Sequence, residues 1–416
     1  MTDPPASPRR QADDGFWWGT ASSSTQCEGA APASDWYRWE QAGRAPRSGD
    51  GNGFATRYAE DFALLGEYRL THQRLSLEWA RLEPAPGRHD PAAVEHYRQI
   101  LTAARDAGIS TWACLHHFSL PGWFSEDLPG MIDRSTRTHW HRHVDWVAET
   151  FGDLVFAWLP INEPNAFAVL GYRVGRHPPG VASADRYAEA LEAIHLANYE
   201  AWRLLQGGDQ PVATAHNLSP VHPATRGSNP HELTAAQDRA RSMDEGMWCW
   251  TRALRDGVLE VPGRAAIEIG DLAGSFDLIG FSYYSARSVY ADGVGPYPAD
   301  ARVGPAGDAP WPEGLGLVLR RLADELPGRP LIIAGCGFGT DDDEWRTSLL
   351  AQTFEQIELA RQDGLDVRGL FHWTGVDDYE WDRGDTVPFG LFDRDRNARP
   401  SADLVRARAD AHPGRA

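Results

Sequence analysis

Short apolar runs alternate with amphipathic helical stretches about eight times between residue 16 and the end of this 416-residue chain, and that rhythm constrains its fold more than any other feature. The strand candidates are residues 16–20, 73–79, 111–118, 156–162, 211–217, 277–284, 331–335 and 367–373. Between them lie stretches such as AAVEHYRQILTAARDAG, where Val94, Tyr97, Ile100, Leu101 and Ala104 recur at helical spacing and Gly108 closes the helix. Eight such units predict an α/β fold, a single (β/α)8 TIM barrel with long βα loops spanning residues 15–410. Residues 1–14 read as a disordered polar tail and residues 411–416 as a frayed one. The segments from Pro220 to Pro230 and from Ala291 to Pro312 break the rhythm; they read either as loop insertions near the site or as plain connectors.

Composition narrows the partners. A formal charge of −19, with no basic run to offset it, repels nucleic acid and anionic lipid. No apolar run reaches the roughly 18 residues of a membrane span, and the first fourteen residues lack the apolar core of a signal peptide, so a cytoplasmic location is expected. Cys27, Cys114, Cys249 and Cys336 form no CxxC pair and read as buried thiols of a reducing compartment. No cofactor is called for. His116 and His117 suggest a metal only superficially, because adjacent strand residues face opposite ways and no third ligand is evident. Seventeen tryptophans are many for this length; most aromatics are simply core, but a surplus of Trp, Tyr and His beside carboxylates also suits the stacking and hydrogen bonding of sugar rings.

A barrel of this type builds its site at the carboxyl ends of its strands, so polar residues that end apolar runs are the informative ones. FAWLPINEPN ends in Asn162 and Glu163, followed by a proline that stops the strand. TWACLHHFSLP ends in His116 and His117, DLIGFSYY in Tyr283 and Tyr284, and GLFHWTGVDDYEW in a Trp/Asp/Glu cluster. A strand-end glutamate taken alone is commonly a surface carboxylate. Polar or aromatic groups at the ends of most strands point instead to one shared rim.

The segments FWWGTASSSTQCEGA, QRLSLEWARLEP, LHHFSLPGWF, LPINEPN, GFSYY and GLFHWTGVDDYEW, with the closing RPSA, resemble in order the signature blocks of the family-one glycoside hydrolases, the β-glucosidases and β-glycosidases. The resemblance spans residues 16 to about 402. It implies a retaining β-glycosidase pocket for a small-molecule glycoside. Glu163 matches the acid/base of the NEP motif, and Asn162 the residue that holds the sugar 2-hydroxyl. Gln26, His117, Glu380 and Trp381 match groups that bind the other hydroxyls, and Trp373 matches the stacking platform. Arg74 and Tyr284 match the residues that hold and tune the nucleophilic carboxylate.

One block departs from the pattern. Where the family reads TENG after an apolar strand, this chain reads PLIIAGCGFGTDDD, so Gly335 stands at the position of the nucleophilic glutamate and Cys336 at that of the asparagine. Ser282 and Asp378 each replace a family asparagine. Retaining hydrolysis needs two carboxyl groups about 5 to 5.5 Å apart, and glycine supplies neither attack nor charge. The thiol of Cys336 is expected on the opposite face of the strand, as a small core residue. Glu78 shares the parity of Arg74, but a salt bridge is the role expected of it. Arg74 thereby loses its anionic partner, and the space beside Gly335 is expected to take an anion or a group of the substrate.

Three functions fit this pattern. The first is an atypical glycoside-processing enzyme performing transfer, cyclisation or tailoring in specialised metabolism, with Glu163 as general acid. The second is a pseudoglycosidase that only binds carbohydrate. The third is a weak β-glycoside hydrolase, with inversion as one route. The unbroken NEP motif favours an enzyme, since binding alone has no use for a proton donor. Sugar, aglycone and oligomeric state are not encoded legibly.

Overall fold

A computed structural model describes residues 15–227 and 230–412; the expected tail 1–14 and residues 413–416 lie outside that range. Eight strands form its centre: β1 (Trp17–Ala21), β2 (His72–Ser76), β3 (Ser110–His116), β4 (Ala157–Ile161), β5 (His216–Asn217), β6 (Ile279–Ser282), β7 (Leu331–Cys336) and β8 (Val367–Trp373). All neighbours run parallel, in the order β4-β3-β2-β1-β8-β7-β6-β5. The two ends of that order meet through the segment leading into β5. The Trp158 N–H donates to the Pro211 carbonyl at 2.9 Å, and the Ala213 N–H donates to the Trp158 carbonyl at 2.8 Å. The sheet thus closes on itself, and the chain is a (β/α)8 TIM barrel.

Helices cover the outside, and local sequence explains where they begin. The helix Pro91–Asp106 starts at Asp90, whose carboxylate accepts the Ala92 N–H at 2.9 Å, with proline in the first turn. It turns Tyr97, Ile100, Leu101 and Ala104 onto the barrel. Each buried aromatic or aliphatic side chain of this kind contributes about 1.5–3 kcal/mol. A second apolar layer fills the barrel interior, where Trp17 and Trp112 pack edge to face at 5.4 Å beside Leu159, Ile332 and Phe371.

Several strands are shorter than the apolar runs suggest. The run 73–79 yields a strand only to Ser76, because Glu78 then caps the helix Trp79–Leu82. Glu78 is buried, and it accepts hydrogen bonds from the Ser24 hydroxyl at 2.7 Å and the Ser119 hydroxyl at 3.3 Å. The expected salt bridge is absent among the described residues; hydroxyls and the helix N-terminus satisfy the carboxyl instead. Of the run 211–217 only His216–Asn217 forms regular ladder, with single bridges at Val212 and Ala213.

The two irregular segments carry structure of their own. Val221–Pro223 and Gly293–Tyr297 flank Ala286–Tyr290 in a three-stranded sheet beside the barrel mouth. Ser228 and Asn229 are outside the described residues. The last helix, Pro400–Ala411, runs past the expected domain end, and the His412 carbonyl accepts the Trp18 indole N–H at 3.2 Å.

Strand β7 holds a feature that periodicity does not encode. Ile333 pairs with Phe281, but the next pairing partner of β6, Ser282, faces Gly335, so the register slips by one residue at Ala334. Ile332 and Ala334 pack inside the barrel, whereas Cys336 packs with the outer layer. The bulge turns Gly335 toward Arg74 of β2 and leaves Cys336 facing away.

Candidate active site

Every barrel strand except β5 leads directly to a residue singled out in the sequence. Gln26 lies in the short helix Ser24–Glu28 after β1, Arg74 within β2, and His117 after β3. Asn162 and Glu163 follow β4, Tyr284 follows β6, Gly335 sits in β7 and Trp373 ends β8. Glu380 and Trp381 come from the loop beyond β8. Glu163 turns the chain sharply, with φ at 45°, and so leaves the strand to begin the helix Pro164–Ala168. The side chain of Asn165 then pins that helix to β5, donating to the Asn217 carbonyl at 2.7 Å and accepting the Asn217 N–H at 3.1 Å.

These side chains meet in one place. The Arg74 guanidinium donates to Asn162 Oδ1, and the Asn162 amide donates to His117 Nε2 at 3.1 Å. That bond requires His117 to carry its proton on Nδ1, and burial, with Arg74 adding to it, pushes the imidazole well below its ordinary pKa. The His117 ring lies 5.6 Å from Trp373 and 6.2 Å from Trp381, and Arg74 stands 5.7 Å from the centre of the Trp373 ring. On the far wall, the Gln26 amide nitrogen donates to the Tyr379 carbonyl at 2.7 Å and to Glu380 Oε2 at 3.1 Å.

The three groups nearest to the side-chain position of Gly335 are non-acidic. A β-carbon there would lie 2.9 Å from the Tyr284 hydroxyl, 3.1 Å from the Ser282 hydroxyl and 3.5 Å from Arg74 Nη2. The Tyr284 phenol, the Ser282 hydroxyl and the Arg74 guanidinium thus border the space beside the glycine. Arg74 is only 1% exposed, and among the described residues no carboxylate forms an ion pair with it.

The family model for glycosyl hydrolase family 1 matches residues 9–410. The chain belongs to that family. It is 29% identical over 410 residues to a thermostable beta-glucosidase B of Thermobispora bispora, covering 89% of this chain and 84% of the relative. It is 26% identical over 453 residues to a coniferin beta-glucosidase of Pinus contorta, covering 91% and 86%. Among solved structures, a beta-glycosidase from Pyrococcus horikoshii superposes with a TM-score of 0.86 at 28% identity, over 97% of this chain and 96% of that one.

Electrostatics separate the groups of this family 1 site. Burial raises the Glu163 carboxyl above its ordinary pKa, while Ser282, Arg74 and Asn217 pull the other way. Burial also pushes Glu380 up to about 8, helped by the negative charge of Asp382 and opposed by the Gln26 hydrogen bond. The Tyr284 phenol is raised well above 10, chiefly by burial and then by Glu163. Ser282 Oγ borders both the Glu163 carboxyl and Gly335, yet has no partner of hydrogen-bond geometry among the described residues.

Sequence reasoning missed the second layer of this wall. Trp381 is wedged by Trp36 at 4.6 Å, Phe118 at 5.4 Å and His177 at 5.7 Å, which come from the chain after β1, β3 and β4. Ser282 was visible only as a substitution. Its place beside both Glu163 and Gly335 comes from the pairing of β6 with β7. The four cysteines are free and buried, and burial pushes the thiol of Cys336 up to about 12. Among the described residues no group of three or more ligating side chains is arranged to hold a metal, and no helix is long and apolar enough to cross a membrane.

Proposed function

We propose that this chain is an atypical glycoside-processing enzyme, in which Glu163 acts as general acid/base and no retaining nucleophile stands opposite. The observation that carries the reading is the surrounding of Gly335, where the three nearest groups are Tyr284, Ser282 and Arg74 and none of them is an acid, beside a buried glutamate whose proton is held more tightly than usual. Glu163 gives its proton to the leaving oxygen of a glycoside or sugar-derived acetal, and the carbon–oxygen bond breaks with its electron pair going to that oxygen. A water or another acceptor then bonds to the carbon and returns a proton to Glu163. Asn162, His117, Gln26, Glu380, Trp373 and Trp381 grip the sugar, as the motif resemblance implies. Transfer, cyclisation or tailoring within specialised metabolism fits a pocket that binds and protonates without a covalent intermediate.

Turnover of an aryl β-glucoside by the native protein, Glu163→Gln and Gly335→Glu tests this. The reading expects little hydrolysis by the native form, a gain of about 100-fold or more in Gly335→Glu, and loss in Glu163→Gln of whatever the native form does. Hydrolysis by the native form at a rate typical of glycosidases overturns it. A native form that binds glucosides, with Glu163→Gln unchanged in every assay, leaves carbohydrate binding as the function.

A further inference from the structure

The groups that converge on Gly335 share a chemical character. Arg74 carries a permanent positive charge, is 1% exposed, and among the described residues leaves its Nε–H without a hydrogen-bond partner. Ser282 is fully buried beside the Glu163 carboxyl, and among the described residues its hydroxyl makes no hydrogen bond of good geometry. Tyr284 brings a phenol to the same spot and is half-buried against it. All three are hydrogen-bond donors, and they stand within 2.9 to 3.5 Å of the one position a β-carbon would take. A buried cation next to unpartnered hydroxyls calls for a negative oxygen, since neither water nor a neutral hydroxyl offsets a desolvated guanidinium as well.

The rest of the pocket does not supply that charge. Asn162 takes one guanidinium nitrogen through a neutral amide oxygen, and His117 is held neutral. Burial shifts Glu163 and Glu380 upward, and among the described residues neither forms an ion pair with Arg74. Glu78, the other acid near β2, is turned away into the hydroxyls of Ser24 and Ser119. Within the wall of the site, Arg74 is the group whose charge is left to be met from outside.

Resting on the function proposed above, we propose that Arg74, Ser282 and Tyr284 form a receptor for a singly charged oxyanion, and that the substrate is an acid whose carboxylate lies close to its acetal carbon. The bound oxygen faces the carbon on the side of Gly335 and offsets the positive charge that develops there as Glu163 protonates the leaving oxygen. Glycine at this position is then a requirement of fit, because any side chain would occupy the space the ligand's oxygen must approach. A free oxyanion drawn from solution has the same chemistry, and the test separates the two sources.

The experiment is calorimetric titration of the full chain at pH 7 with three probes: sodium acetate, 2-keto-D-gluconate, whose pyranose form carries a carboxylate on its anomeric carbon, and neutral methyl β-D-glucoside. The native protein is expected to bind the sugar acid about tenfold or more tighter than the neutral glucoside. Ser282→Ala and Tyr284→Phe, each removing one hydroxyl, are expected to lower the ratio of sugar-acid to neutral-glucoside affinity by about fivefold or more. Gly335→Glu, which brings its own carboxylate to Arg74, is expected to abolish the preference for the acid. Binding of acetate without any preference for the sugar acid keeps the receptor and assigns its anion to solution. Equal or weaker binding of the sugar acid, together with no binding of acetate, overturns the receptor. That outcome leaves the Glu163 result untouched, so the two readings fail separately.

Discussion

The Tyr284 hydroxyl stands 2.9 Å from the point that a β-carbon on Gly335 would occupy, closer than real β-carbons approach an oxygen. Gly335→Ala therefore pushes against the phenol, and overpacking of this kind costs about 1–3 kcal/mol. Removing the hydroxyl in Tyr284→Phe relieves the contact, so the alanine costs less in that background. Urea unfolding of the two single variants and the double variant checks the coupling, and additive losses would show that the contact is not felt.

Glu163 combines a left-handed backbone with a buried carboxyl, a costly arrangement for a residue that only shapes the loop. Glu163→Gln keeps the shape and removes the proton. It is expected to lower any native turnover about 10²- to 10⁴-fold while leaving the melting temperature unchanged or raised. Steady-state rates beside a thermal melt separate these effects.

The contribution of Glu380 to stability falls as pH rises through the neutral range. Glu380 is pushed up to about 8 in the folded state, while an unfolded glutamate ionises near its ordinary 4.5. Between those values the unfolded chain has lost the proton and the folded chain still holds it, so raising pH favours unfolding. Glu28 and Asp35, both pushed up to about 7 by burial, act in the same direction. Denaturation midpoints from pH 5 to 8 measure the slope, and Glu380→Gln is expected to flatten it.

Asp378 is buried with neither carboxyl oxygen hydrogen-bonded among the described residues, and burial, with Glu380 and Asp377 nearby, holds its pKa well above the usual carboxylate range. Asp378→Asn, the residue that the family resemblance places there, removes the ionisable proton. The variant is expected to be more stable than the native protein by about 1–3 kcal/mol at pH 8, with the difference shrinking toward pH 4. Thermal melts at the two pH values read this directly.

Much of the candidate site was legible because barrel strands deliver their last residues to one rim. Glu163, Asn162, His117, Tyr284 and Trp373 each close an apolar run, and each lies at a strand end in the structure. Glu78 was legible as an acid near the mouth but not in its use, because its partners Ser24 and Ser119 come from the chain after two other strands. The wedge behind Trp381 was not legible at all, since Trp36, Phe118 and His177 share no spacing and meet only when the segments after three different strands pack.

The order of apolar runs and helical stretches determined a closed parallel barrel, since eight βα units with a right-handed turn have few other ways to bury both faces of a sheet. Local chemistry likewise determined that glycine occupies the position next to Cys336 in β7. What glycine does there was decided by the tertiary structure. The slip at Ala334 aims Gly335 across the barrel, and pairing of β6 with β7 sets Ser282 beside it while Tyr284 closes over it. Those contacts join residues separated by more than 50 positions in the chain, and register between distant strands is fixed by packing, not by local periodicity.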